Sequence, residues 1–330
     1  MAEPSTHWNE DIAPDEEAVF AALTRRLVAV QRSKDALHGK GRALHRKATA
    51  AAPAVFEVLD DLPPHARAGL FAEPARYAAI VRLSNGSHSI APDAKPDVRG
   101  FAIRVTGVHG PSALGGAPTD AQSFLLITQS SFPFPTPESF VDLTEGGAKG
   151  KLSLLFRVFK NFGFGGFGFL RTLGRELGRP FSGFAGERFH SAVPIACGDY
   201  ACRVRLVPTH DVAGDPPTTD ADVDWGRDFL ARLAKGDLRF DVQLQFFVDE
   251  AITPIEDPTV DWPEAAAPYT TVARLIIERS SLDRATDPGF AASVEKMTFD
   301  PWNALAAHRP LGRIMRARKP AYHGSHQNRA

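Results

Sequence analysis

Seven short runs of alternating or β-branched residues, separated by loops of very different length, most constrain the fold of this 330-residue chain. They are AVFEVLDDLP, closed by Pro63 and Pro64, then AAIVRLSNGS, VRGFAIRVTGV, SFLLITQSS, ACRVRLVP, LRFDVQLQFFV and VARLIIERS. Side chains of a strand alternate between two faces, so each run can place one row of apolar residues inward. AAIVRLSNGS runs into a turn at Asn85-Gly86, and VRGFAIRVTGV stops at a Gly/Pro-rich loop. Few of the runs are separated by the helix that a parallel crossover needs, which points to an antiparallel sheet or barrel rather than a doubly wound fold. Glu16 to Val30 repeats apolar residues at helical spacing (Val19, Phe20, Leu23, Leu27, Val28), so the class is α+β. At 43% hydrophobic residues the chain can bury a large core. Residues 1–15 read as a disordered lead and 16–330 as one domain.

Charge narrows the partners. The net charge is −1, so the molecule as a whole is not built to bind nucleic acid. Two stretches are locally basic, Arg25 to Lys47 and Arg313 to the end; each is either a solvated face or a surface for an anionic ligand. Two cysteines, Cys197 and Cys202, are too few for a disulfide framework or a structural zinc site. The acidic start MAEPSTHWNEDIAPDEEAVF has neither the basic opening nor the apolar run of an export signal, so a cytoplasmic location is expected. No segment has the length and polarity of a membrane span.

Residues 156–174, FRVFKNFGFGGFGFLRTLG, alternate phenylalanine and glycine without a period. Such a stretch is a mobile apolar loop, a closely packed helix hairpin, or a hydrophobic wall or lid for an apolar ligand. Left exposed, it is an interaction or aggregation site.

The chemistry concentrates in four segments. The tail RARKPAYHGSHQNR sets Tyr322 four residues after Arg318. A phenol titrates near pH ~10, so a phenolate ligand needs both a metal and a permanent cation beside it, and arginine is such a cation. Upstream stand GRALHRKATAAAPAVFEV with Arg42 and His45, VRLSNG with Arg82 and Ser84, and KPDVRGFAIRV with Asp97 and Arg99. In this order and spacing the four segments resemble the haem catalase superfamily, most of all its small catalase-related peroxidases. The likeness covers most of residues 36–330, including FDPWNALAAHRPLGRIMRARKPAY.

The resemblance implies a catalase-like antiparallel β-barrel with surrounding helices, holding haem b (iron protoporphyrin IX). Tyr322 would be the iron ligand and Arg318 its partner. Arg42, Arg82 and Arg329 would hold the haem propionates, since guanidinium forks match carboxylates. His45 would be the acid–base group, with a pKa suited to moving a peroxide proton, and Ser84 would orient it. Asp97 would line the approach to the distal side. The family's distal asparagine has no counterpart on SFLLITQSS; Thr128 stands nearest, with Gln129 beside it, and either can donate to bound peroxide. Ala48, Thr49 and Ala50 replace a glycine-rich stretch, and their methyls are expected to crowd the haem or shift its tilt. Pro320 lies between Arg318 and Tyr322. Proline lacks a backbone donor and disfavours helix at the residue before it, so a helix is expected to start near Pro320 and leave Arg318 outside.

The implied function is that of a haem peroxidase, an oxidoreductase reducing hydrogen peroxide or organic hydroperoxides with an organic electron donor, with weak catalase activity. Two alternatives stand beside it: a fatty-acid hydroperoxide isomerase of the allene oxide synthase type, and a haem or lipid binder without turnover. The partners implied are peroxide and a small organic or lipid substrate, with homo-oligomeric assembly left open.

Overall fold

The computed structural model describes residues 3–210 and 223–329; residues 1, 2 and 330 of the expected boundaries fall outside it. In chain order the elements are α1 (Glu16–His38), β1 (Ala48–Val58), β2 (Arg76–Asn85), β3 (Arg99–Gly110), β4 (Thr119–Ile127), α2 (Pro137–Lys149), α3 (Lys151–Phe162) and α4 (Gly166–Leu177). There follow β5 (Phe189–His190), β6 (Ile195–Cys197), β7 (Tyr200–Pro208), α5 (Trp225–Lys235), β8 (Leu238–Phe246), β9 (Tyr269–Ile277), α6 (Leu282–Thr286), α7 (Pro288–Lys296) and α8 (Arg313–Arg329).

All strand pairs are antiparallel, in the order β5-β4-β3-β2-β1-β9-β8-β7-β6. The two-residue β5 closes the sheet: Ile127 of β4 faces His190, and Phe189 faces Leu206 of β7. Eight strands therefore form a barrel, and β6 hangs on β7 as a hairpin strand. The expected α+β antiparallel barrel is what forms. The strand alternation read from the sequence is the barrel's filling: Phe56 and Val58, Phe101, Ile103 and Val105, and Leu238, Phe240 and Val242 are all buried. Closure leaves these rows no solvent face, and an eight-stranded barrel is narrow enough to be packed solid by side chains. Both cysteines are buried and free in this core.

Helices α5, α6 and α7 pack on β1, while α1, α2 and α8 pack on one another, and α8 decides the geometry of the site. Its N-terminal amides are capped by carboxylates: Gly312 N–H donates to Glu10 Oε1 at 2.8 Å and Arg313 N–H to Glu256 Oε2 at 2.7 Å. Negative charge at a helix start is favourable because the first amides lack partners and the helix dipole is positive there. Arg316 then binds Glu10, Glu16 and Glu256, each at 2.8 Å. Burial works against its charge, but the bonds to Glu16, Glu256 and Glu10 outweigh that and raise its pKa. Arg313 grips Glu138 of α2 with both terminal nitrogens. On the far side α8 lies close on α1: a methyl at Gly324 would sit 2.8 Å from Thr24 Cγ2.

Two expectations change here. Residues 3–15 are not a free lead. Ser5 N–H donates to Phe247 O, the Trp8 indole donates to Asp199 O, and Glu10 pairs with Arg309 and Arg316. Glu10 of this segment is a partner of α8. The helix also does not begin at Pro320 but runs through it from Arg313 to Arg329. Clamping at its N-terminus and along α1 outweighs one missing backbone donor.

Candidate functional site

The barrel wall of β2, β3 and β4, the loop before β1, and helices α1, α2 and α8 enclose a cavity of about 240 Å³. Into it come Arg42 and His45 from the loop, Arg82 and Ser84 from β2, and Arg318, Tyr322 and Arg329 from α8. Seven residues singled out from sequence thus meet at one place, from three separate stretches of chain.

His45 is held in a left-handed backbone conformation, φ +50°. That strained geometry persists because both its peptide groups are bonded: its N–H to Gly86 O at 3.0 Å, and its carbonyl to Arg82 Nη2 at 2.9 Å. The ring meets Ser84 Oγ through Nδ1 at 3.0 Å. Burial, with Arg82, Arg318 and Arg42 nearby, lowers the His45 pKa to about 3, so the imidazole is neutral at ordinary pH. The space it occupies depends on Gly100, across the ladder from Ser84. A β-carbon at Gly100 would come within 2.5 Å of His45 Nδ1.

On α8, Arg318 Nη2 donates to the Tyr322 hydroxyl oxygen at 2.8 Å. Running the helix through Pro320 is what puts the two residues one turn apart on one face. The phenol oxygen therefore already accepts from a permanent cation.

Three guanidiniums crowd another part of the cavity. Arg82 is buried and pairs with Glu295 through Nε at 2.5 Å. Arg42 and Arg329 donate to the backbone carbonyl of Glu295, and Arg42 also to that of Met297. Arg42 Nε is buried without a hydrogen-bond partner, 4.0 Å from Glu295 Oε2. Burial, together with Arg82 and Arg329, lowers the Arg42 pKa to about 9; burial and Arg82 also lower that of Arg329. Among the described residues one carboxylate faces three arginines, which leaves a positive surplus at this end.

Thr128 is the residue that does not arrive. It lies just past the end of β4, where its hydroxyl donates to Gln129 Oε1 and its amide to Arg99 O. The wall there is made by Leu125, Leu126 and Ile127, with Ile127 opposite Gly100. Asp97 also stands off the cavity, accepting from Ser87 N–H, and burial raises its pKa. Ala48, Thr49 and Ala50 do not line the cavity, so their methyls do not crowd it. Beyond Ile127 the lining continues as Phe132 and Phe140.

No family model matches the sequence, and no curated protein matches it. Solved structures do. The whole chain superposes on a fungal catalase (TM-score 0.70, 15% identity, 65% of that chain), on catalase A from Saccharomyces cerevisiae (0.70, 14%, 67%) and on a bacterial catalase (0.66, 17%, 63%). The fold is that of the catalases. The chain spans about two thirds of the length of these catalases.

Within this catalase fold, sequence reasoning missed Gly100 and Glu295. Gly100 sits inside the quoted DVRGFAI run, and its role is legible only once β3 is seen lying against His45. Glu295, at the end of α7, carried no signal; the chain brings it to Arg82 across 213 residues.

Proposed function

We propose that the chain is a haem protein of the catalase-related peroxidase type, acting on hydrogen peroxide or organic hydroperoxides with an organic electron donor. The observation that carries this reading is the Arg318–Tyr322 bond on the same cavity as the half-buried, neutral His45. The residues fit haem b. A phenol oxygen that accepts from arginine suits a metal ligand, and the surplus of Arg42, Arg82 and Arg329, with its unpartnered Nε, suits two propionates. When bound, haem supplies the redox chemistry on peroxide.

The chain's own part is binding, orientation and proton handling. Tyr322 would hold the iron, and Arg318 would orient its oxygen through the hydrogen bond it donates there. The arginine cluster would fix the direction in which the macrocycle enters. We assign the Nδ1–H of His45 as the donor to Ser84 Oγ, which leaves Nε2 with the lone pair. Neutral at ordinary pH, His45 can take a proton from a hydroperoxide and return it to the departing oxygen. The apolar Leu125–Ile127 wall offers no side-chain donor to a second peroxide, which favours peroxidase chemistry over dismutation. The same wall, continued by Phe132 and Phe140, favours a fatty-acid hydroperoxide as substrate and supports a second reading, rearrangement of that hydroperoxide.

Reconstitution with haem tests the proposal. The wild type is expected to give a high-spin ferric spectrum of the phenolate type, and Tyr322→Phe to lose it. An unchanged spectrum in Tyr322→Phe refutes the ligand. Product analysis then separates donor oxidation, oxygen release and rearranged fatty-acid hydroperoxide. Haem bound with none of the three leaves a binding protein.

A further inference from the structure

The Phe/Gly segment forms a helix hairpin, α3 and α4, joined by a short 3-10 turn at Gly163–Gly165. Its inner side is anchored: Val158 is buried, and Arg157 pairs with Asp142 and Glu145 of α2. Among the described residues nine large apolar side chains are exposed, and five belong to this hairpin: Leu152 (85%), Leu155 (43%), Phe156 (70%), Phe164 (94%) and Phe167 (65%).

The charges flank this apolar face. At about 100° per residue, Leu152, Leu155 and Phe156 share one side of α3, with Lys151 and Lys160 on its two borders. On α4, Arg171 lies one turn after Phe167. Lys151, Lys160 and Arg171 are exposed and make no ion pair among the described residues. Between residues 149 and 179 there are seven Lys or Arg and one acid, Glu176, although the whole chain carries a net charge of −1. An amphipathic helix pair with phenylalanine at the tip and lysine at the borders is built for the boundary between anionic head groups and acyl chains. A solvent-facing hairpin would not expose phenylalanine. A face for a second copy would have to set the unpaired Lys151, Lys160 and Arg171 against their own copies. The hairpin also leads inward: Phe162 stacks on Phe169 at 4.6 Å, Phe169 meets Phe134 at 5.6 Å, and Phe134 meets Phe140 of the cavity wall at 5.1 Å.

We infer that the α3–α4 hairpin is a peripheral membrane-docking element, which inserts Phe164 and Phe167 into the interface of an anionic lipid bilayer and sets the aromatic path to the cavity against the membrane. This inference does not depend on haem, since its readout is lipid binding by the protein itself.

Vesicle co-sedimentation tests it. The protein is expected to pellet with vesicles of phosphatidylcholine mixed with phosphatidylglycerol, and weakly or not at all with phosphatidylcholine alone. Lys151→Glu/Lys160→Glu and, separately, Phe164→Ser/Phe167→Ser should each weaken binding on the order of tenfold, with thermal midpoints unchanged. A Phe164→Trp reporter keeps the test independent of those variants: its emission should shift to shorter wavelength when the anionic vesicles are added. Failure to pellet with the anionic vesicles, binding undiminished in both double variants, or unshifted emission from the tryptophan reporter would each overturn the inference. So would a serine variant that lowers the sedimentation coefficient of a protein that does not bind vesicles, because that result assigns the face to a second copy.

Discussion

Helix α8 and the α3–α4 hairpin are both basic and both carry aromatic residues, yet they are treated in opposite ways. At the start of α8 two arginines are matched to acids from remote parts of the chain: Arg316 to Glu10, Glu16 and Glu256, and Arg313 to Glu138. Its aromatic residue, Tyr322, faces an internal cavity. On the hairpin three cations are left without an ion pair and the phenylalanines face outward. Paired charge fixes a helix in position, which a ligand-holding tyrosine needs; unpaired charge beside apolar surface is available to something outside the molecule. Residue type alone does not distinguish the two uses.

The comparison can be tested by how much each region tolerates change. Arg316→Ala should cost most, on the order of 3 kcal/mol, because three carboxylates lose a largely buried partner; denaturant titration measures it. Acid should act on the same helix next. Burial alone would raise the Glu10 pKa, but its bonds to Arg309, Gly312 and Arg316 leave it below the ordinary 4.5. A carboxyl depressed in the folded state stabilises fully above the unfolded value, and that contribution is lost as pH falls through the folded one. The melting midpoint should therefore drop below about pH 4.5, and Glu10→Gln should flatten that drop. Pro320→Ala should stabilise α8 by about 1–2 kcal/mol, since it restores a helical donor at the expense of a more flexible unfolded chain. Lys151→Glu/Lys160→Glu should change the unfolding free energy least, within about 0.5 kcal/mol. A large loss there would mean that the hairpin's charges are structural, and the contrast with α8 would fail.

Much of the barrel was legible because alternation reports burial directly: all seven runs quoted from the sequence lie on strands of the sheet. The strands β5 and β6 were not legible. Two or three residues carry no period, and β5 exists only because β4 and β7 each offer it an edge. In the site, His45, Ser84 and the arginines were readable from motifs quoted at fixed spacing. Thr128 was chosen by chemistry, as the nearest polar residue to a missing donor, but the strand's end turns it away and leaves Ile127 on the wall. Pro320 was read from local propensity, which here is overridden by contacts at both ends of α8. The lead was read as disordered because it has no period of its own; Glu10 finds Arg309 and Arg316 only in the folded chain.

The sequence by itself determined the class of the fold and the kinds of group at the site, because period, turn chemistry and motif spacing are local and survive in one dimension. Only the tertiary structure decided how those groups are used. The neutral state of His45, the clearance at Gly100, the lone Glu295 among three arginines and the pairing that pins α8 are all relations between residues far apart in the chain. Their energies depend on distance and burial, and neither exists until the chain is folded.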